Sequence, residues 1–284
     1  MEKIAIMTDT GSAITPQEAK DAGLYLLPLQ IGEAGKSYLD QVDLSTQDVY
    51  TMLKAGKMPT TSMPVYITIE ETLQKIKDSG YDSVIVVPLT AGLSSTSDTI
   101  TSIAQELDIP MTTIDCFATC HIQKHIVYQV KTLVDQGKSR EEIKSIMAPI
   151  IKDAYTVIVP FNLQHLKRGG RLTPLAASLA GLLKIVPLLH IGELTNGKID
   201  MLDKVRTKTR ALKMQIEKAI AQPVDQNESF YILNSDARED AEILKQGLIE
   251  KGISESFIKI VDINPVIACH TGLQCVVIQR VKNL

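Results

Sequence analysis

Apolar positions along the chain alternate between two spacings. Residues 3–9 (KIAIMTD) alternate as a strand does, and Pro16–Ala22 reads as a short helix with Thr15 as N-cap, Pro16 at its first position and Gly23 after its end. Residues 25–31 form an apolar run that predicts a second strand. A helix over 45–55 opens with Ser-Thr-Gln-Asp, a capping-box pattern. In residues 67–79, Ile69, Leu73 and Ile76 fall on one helical stripe. Residues 83–89 (SVIVVPL) are almost entirely apolar, as in a strand covered on both faces of a parallel sheet. A helix over 95–107 and a strand over 111–115 follow. This strand–helix rhythm predicts a doubly wound sheet with right-handed crossovers.

The second half changes character. Helical spacing dominates residues 119–154, and Tyr155–Pro160 then reads as a strand. Another strand is predicted over Val186–Ile191, a hairpin at Asn196-Gly197, and a long basic helix over 207–221. The end runs strand 230–233, helix 239–251, strand 257–261 and closing strand 273–281. The expected architecture is α/β with two α/β domains. Residues 1–155 would form a Rossmann-like parallel-sheet domain, and residues 156–284 a mixed-sheet domain.

Composition narrows the function. A chain of 284 residues suits about two domains. A net charge of -3 offers no basic surplus for nucleic acid, and the lack of Trp with only 4 Phe leaves few platforms for base stacking. The opening MEKIAIMTD has one Lys before a short apolar run ending in Asp, which reads as a first strand rather than a signal peptide. The longest apolar stretch, residues 172–191, is broken by Pro174, Lys184 and Pro187, unlike a membrane span. A cytoplasmic protein without stable membrane insertion is expected. Cys116 and Cys120 are four apart, and Cys269 and Cys275 bracket a glycine loop; no C-x-x-C pair exists, so buried thiols are preferred over a zinc site.

Six segments could carry chemistry. Gly32–Ser37 (GEAGKS) imitates a phosphate-binding loop, but only two residues separate its glycines, Gln30 stands where the first Gly belongs, and no helix follows; a strand-to-strand turn fits better. Residues 90–99 (TAGLSSTSDT) join a buried strand to a helix, where strand ends and helix N–H groups gather anions. Ser94, Ser95, Thr96 and Ser97 supply more hydroxyls than capping alone needs. Residues 59–64 (PTTSMP) form a short hydroxyl-rich loop stiffened by two prolines. Residues 166–172 (LKRGGRL) fit a helix end with basic residues, and leave Arg171 beyond it. Residues 268–275 (ACHTGLQC) place His270 before a glycine turn, as a site residue or a structural hydrogen bonder. Leu182, Leu183, Ile185, Val186, Leu188 and Leu189 suit either a packed core or an acyl tunnel.

Together these runs resemble the DegV family, whose best-understood members are the fatty-acid-binding subunits of bacterial fatty acid kinase. The matching runs are TDTGSAIT (8–15), YLDQVDL (38–44), TSMP (61–64), LSSTSDT (93–99), LKRGGRL (166–172), KVRTKTRAL (204–212) and HTG (270–272), in family order across nearly the whole chain. The resemblance implies a buried long-chain fatty acid as ligand and no cofactor. It implies a carboxylate held by Thr61 and Ser94, with Ser62, Ser95 and Thr96 beside them. Arg171, His270, Thr271 and Gly272 would form the polar network around the head group. Arg171 and Arg206 would face a separate ATP-binding kinase subunit, and membrane contact would be transient at most. On this reading the chain is not itself an enzyme.

The sequence departs from the family at three places: Ser94-Ser95-Thr96-Ser97 stands for S-G-T-Y, Thr61-Ser62-Met63-Pro64-Val65 for T-S-Q-P-S, and Leu273-Gln274 for the P-G after H-T-G. Two rivals come from other classes. A serine hydrolase would use Ser94 as nucleophile, His270 as base and Asp9 or Asp115 as orienter, though no G-x-S-x-G elbow is present. A small-carboxylate sensor would need the hydroxyl loops without a tunnel.

Overall fold

The computed structural model describes residues 2–178, 185–225 and 227–284. Leu182 and Leu183, of the apolar run suited to a packed core or an acyl tunnel, lie outside the described residues, and Leu188 and Leu189 of the same run pack in the core. The first half runs β1 (Ile4–Asp9), α1 (Pro16–Ala22), β2 (Tyr25–Leu27), β3 (Gln30–Glu33), β4 (Lys36–Leu39), α2 (Thr46–Lys54), β5 (Thr60–Ser62), α3 (Tyr66–Asp78), β6 (Ser83–Val87), α4 (Thr96–Glu106), β7 (Met111–Thr113), α5 (Cys120–Asp135) and α6 (Arg140–Asp153). The second runs β8 (Tyr155–Pro160), α7 (Leu163–Arg168), α8 (Pro174–Ser178), β9 (Val186–Ile191), β10 (Asp200–Val205), α9 (Lys208–Ala219), β11 (Glu228–Ser235), α10 (Arg238–Glu250), β12 (Ile258–Asp262), α11 (Pro265–Thr271) and β13 (Cys275–Lys282).

Local chemistry explains several boundaries. The Thr15 side chain accepts from the Glu18 N–H while Glu18 reaches back to the Thr15 N–H, and Gly23 closes α1 at φ 67. Ser45 with Asp48 opens α2 in the same way, and Ser139 with Glu142 opens α6. The expected single strand over 25–31 is two. β2 belongs to a parallel sheet and β3 to a separate antiparallel one. Pro28 falls between them; it has no N–H to continue a ladder, so the chain changes sheets there.

The first domain holds a parallel sheet in the order β2-β1-β6-β7. Alternate residues of its central strands feed two filled layers. Ile4, Ile6, Ile85 and Val87 pack with α5 and α6. Ala5, Met7, Val84 and Val86 pack with α3 and α4. The GEAGKS run is the β3–β4 turn of a three-stranded antiparallel sheet, order β4-β3-β5, that carries Thr61.

The second domain holds a six-stranded mixed sheet, β10-β9-β8-β13-β11-β12, in which only the β11–β12 pair is parallel. Val157, Val159, Val276 and Ile278 pack one face onto α9 and α10. The opposite face carries Ile158, Leu189, Leu233 and Val277 toward α2, α7 and α11. That second face positions the site.

Cross-domain hydrogen bonds close the seam. The Tyr50 hydroxyl lies 2.9 Å from the Asn234 carbonyl and 3.0 Å from that of Ile263, and the Asn264 side chain donates to the Thr10 carbonyl at 2.9 Å.

Candidate functional site

A cavity lies over the second sheet's inner face; together with the open space at its mouth it holds about 850 Å³ not filled by protein atoms. Most of its lining is aliphatic, from Leu29, Leu89 and Leu93 on the first domain's side to Ile158, Leu233 and Val277 on the sheet. Strand register orders the sheet side. Ile158 pairs with Val277 in one row, and Thr156 pairs with Gln279 and Ile191 in the row two residues further from Pro160. At ~3.3 Å per residue, that row lies roughly 13 Å along β8 from Pro160.

The mouth is polar. Thr61 and Ser62 come from β5, Ser94 from the loop after β6, Arg171 from the turn after α7, and His270 and Thr271 from the end of α11; all six line the cavity. The Thr61 hydroxyl lies 2.6 Å from His270 Nε2. His270 Nδ1 and Arg171 Nη1 both point at the Gly169 carbonyl oxygen, at 3.2 and 2.8 Å. Burial, then the Arg171 charge, pushes the His270 imidazole down to about 4.

The two glycine motifs interlock. A Cβ on Gly169 would lie 2.9 Å from His270 Nδ1, and a Cβ on Gly272 would lie 2.8 Å from the His165 ring. Each glycine makes room for the other segment's histidine. His165 Nε2 completes the clasp 2.8 Å from the Cys269 carbonyl oxygen. Gln274 occupies the left-handed region at φ 59, and its side chain donates to the Asp236 carbonyl.

Two aspartates, Asp9 buried and Asp115 half-buried, shape the serine loop. Asp9 accepts from the Leu89 and Gly11 N–H groups at 2.7 and 2.9 Å, and Asp115 accepts from the Thr90 hydroxyl and the Ala91 N–H at 3.1 and 3.0 Å. The loop rests on the β9–β10 turn so closely that a Cβ on Gly92 would lie 2.2 Å from the Gly197 backbone. Ser94 lines the cavity, and its Oγ lies 2.8 Å from Thr96 Oγ1.

Some expected site residues are elsewhere. Ser95 and Thr96 do not line the cavity. Ser95 is the N-cap residue of α4, and Thr96, fully buried, is turned toward Ser94 as its neighbour. Gly272 is also outside the lining, because its place is against His165. Arg206 is exposed between β10 and α9, away from the cavity wall. The hydrolase triad is not assembled. His270 is engaged with Thr61 and Gly169, whereas Asp9 and Asp115 are engaged with loop backbone. The four cysteines are free and buried, and burial raises the Cys120 and Cys269 thiols to about 12.

The far row of the cavity was not foreseen. Gln279 donates to the Thr119 carbonyl at 2.9 Å and lies 3.5 Å from Thr156 Oγ1, while its Oε1 accepts from the Ile122 N–H at 3.1 Å. It thus caps α5 from another strand. A single Gln in the run CVVIQRV was the available signal, since a polar residue on a covered strand face needs a buried partner.

Comparison with known proteins places this arrangement. The family model described as "Uncharacterised protein, DegV family" matches residues 3–283. The chain belongs to the DegV family. A DegV domain-containing protein of Halalkalibacterium halodurans is 30% identical over 276 residues, covering 96% of each chain. Among solved structures, the fatty acid binding DegV family protein of Streptococcus agalactiae superposes with a TM-score of 0.91 at 29% identity over 100% of both chains. The DegV of Bacillus subtilis, described as a fatty acid binding protein, superposes with a TM-score of 0.86 at 24% identity over 100% of both chains and shares the fold. The two-domain α/β architecture of this DegV protein is therefore that of its family. Among the described residues, no helix is long and apolar enough to cross a membrane.

Proposed function

We propose that this DegV protein buries a long-chain fatty acid in the cavity and presents its carboxylate at the mouth to a separate ATP-dependent kinase subunit. The observation that carries the reading is one largely aliphatic cavity that also takes Thr61, Ser94, Arg171 and His270 into its lining, with Thr61 and His270 in contact at 2.6 Å. The name of the 29%-identical Streptococcus agalactiae structure supports the same ligand class. Thr61 and Ser94 hold the carboxylate, with Ser62 at the rim. Arg171, His270 and Thr271 form the surrounding network. Residues 1–155 bring most of the hydroxyls and residues 156–284 most of the tunnel and the exposed basic residues. Arg171 and Arg206 face the kinase subunit, and loading involves transient membrane contact in the cytoplasm.

The energetics suit a carrier. Each buried methylene contributes ~0.8 kcal/mol. Roughly 15 of them give about 12 kcal/mol gross, against association costs of ~4–15 kcal/mol. The tail therefore supplies most of the attraction and the polar head fixes orientation. Enclosure would also shield an acyl phosphate from water.

Organic extraction of the purified protein followed by mass spectrometry tests the carrier reading. One fatty acid per chain is expected, and none after lipid feeding would sink it. The kinase step is tested separately. Arg206→Ala should lower acyl-phosphate formation by the kinase subunit while leaving fatty-acid content unchanged.

A further inference from the structure

His270 stands between two oxygens that make opposite demands on its ring. Nδ1 is 3.2 Å from the Gly169 carbonyl oxygen and Nε2 is 2.6 Å from the Thr61 hydroxyl. A carbonyl only accepts, so Nδ1 carries the ring proton, and a neutral imidazole leaves Nε2 as a bare acceptor. The 2.6 Å contact is then the Thr61 O–H donating to Nε2. Thr61 has one hydroxyl proton, and this bond uses it. A carboxylate also only accepts, and would meet the hydroxyl's lone pairs. Thr61 can serve it once its bond to His270 reverses, and reversal requires a proton on Nε2. An imidazolium donates from both nitrogens, to Gly169 and to Thr61, and frees the Thr61 O–H for the ligand.

We infer that fatty-acid binding takes up one proton from solvent, and that His270 Nε2 holds it. This inference rests on the carrier reading above. The balance is one carboxylate anion and one proton entering together; no covalent bond between heavy atoms changes and no electrons are transferred. The surroundings of the ring fit. Arg171 approaches from the turn after α7, His165 from α7 itself, and Thr61 of β5 brings no charge; among the described residues no carboxylate is among the groups acting on the ring. Where no anion offsets burial and the Arg171 charge, His270 therefore stays neutral near physiological pH. A bound carboxylate supplies the opposite charge that favours the imidazolium. The close seating of the ring on Gly169 keeps Nδ1 on the carbonyl and leaves Nε2 as the nitrogen that changes state.

The test is calorimetric titration of delipidated protein with laurate at mildly alkaline pH, in buffers of different ionisation heat. Close to one proton taken up per laurate is expected, with affinity falling about tenfold for each pH unit of increase. Nitrogen-15 spectra of the His270 ring should show one protonated nitrogen before laurate and two after. His270→Gln should bind laurate with no proton uptake. Laurate binding by the unmodified protein without uptake overturns the inference, as does a ring that stays neutral in the complex. These two measurements need no variant, so the inference remains decidable if His270→Gln does not fold. Absence of laurate binding altogether would strike the carrier reading instead.

Discussion

The two sheets of this protein use the same alternation of side chains to opposite ends. In the parallel sheet, both faces of β1 and β6 are filled, by α5 and α6 on one side and by α3 and α4 on the other. In the mixed sheet, one face of β8 and β13 is filled by α9 and α10, and the other forms the floor of a cavity. Ile85 and Ile158 are both buried isoleucines on central strands, at 0% and 6% exposure, so neither exposure nor residue type separates them. What separates them is the covering layer. Helices fill both faces of the first sheet, whereas α7, α11 and the start of α5 share the inner face of the second with the cavity.

The sharpest way to break this contrast is to shorten each isoleucine. Ile85→Ala should cost about 2–5 kcal/mol in denaturant unfolding, because a filled layer cannot collapse into the gap. Ile158→Ala should cost the ligand-free protein less, since its side chain already faces open space, while weakening fatty-acid retention. Equal stability losses would show the two layers to be packed alike.

A second test concerns the seam between the sheets. Asp40 is fully buried, and burial pushes it up to about 7; Asp9 is pushed up to about 6 for the same reason. Both ordinarily titrate at 3.8. The folded chain thus retains protons that the unfolded chain has released between those values. Stability should fall as pH rises from about 4 to about 7, and Asp40→Asn should flatten that slope in thermal melts across the window. A slope of the opposite sign would refute the assignment.

Smaller effects should follow at the mouth and the far row. Ser94→Ala or Thr61→Val should leave stability within about 0.5 kcal/mol. Either should weaken ligand retention by about 1–3 kcal/mol, read by competition with a fluorescent fatty acid. Unchanged retention in both would retire the head-group assignment. Thr156→Ala should shift the preference toward a longer acyl chain, because Gln279 keeps its bonds to Thr119 and Ile122 and the floor only deepens. A uniform loss across chain lengths would instead mark Thr156 as part of the side wall.

Much of this was legible in the chain itself. Local chemistry determined the elements: the capping boxes at Thr15 and Ser45, the almost entirely apolar SVIVV strand and the Asn196-Gly197 turn each act within a few residues, so sequence suffices to read them. The motif runs likewise pointed to Thr61, Ser94, Arg171 and His270, which converge on one cavity although 209 residues separate Thr61 from His270. Tertiary structure decided what depends on approach between distant segments. It divided residues 25–31 between two sheets, turned Thr96 away from the cavity, clasped Gly169 on His270 and Gly272 on His165, and placed Gln279 under the start of α5. The physical reason is that burial of an apolar face is required by the sequence wherever it occurs, but whether that face meets a side chain or an empty channel depends on the shape of what lies opposite.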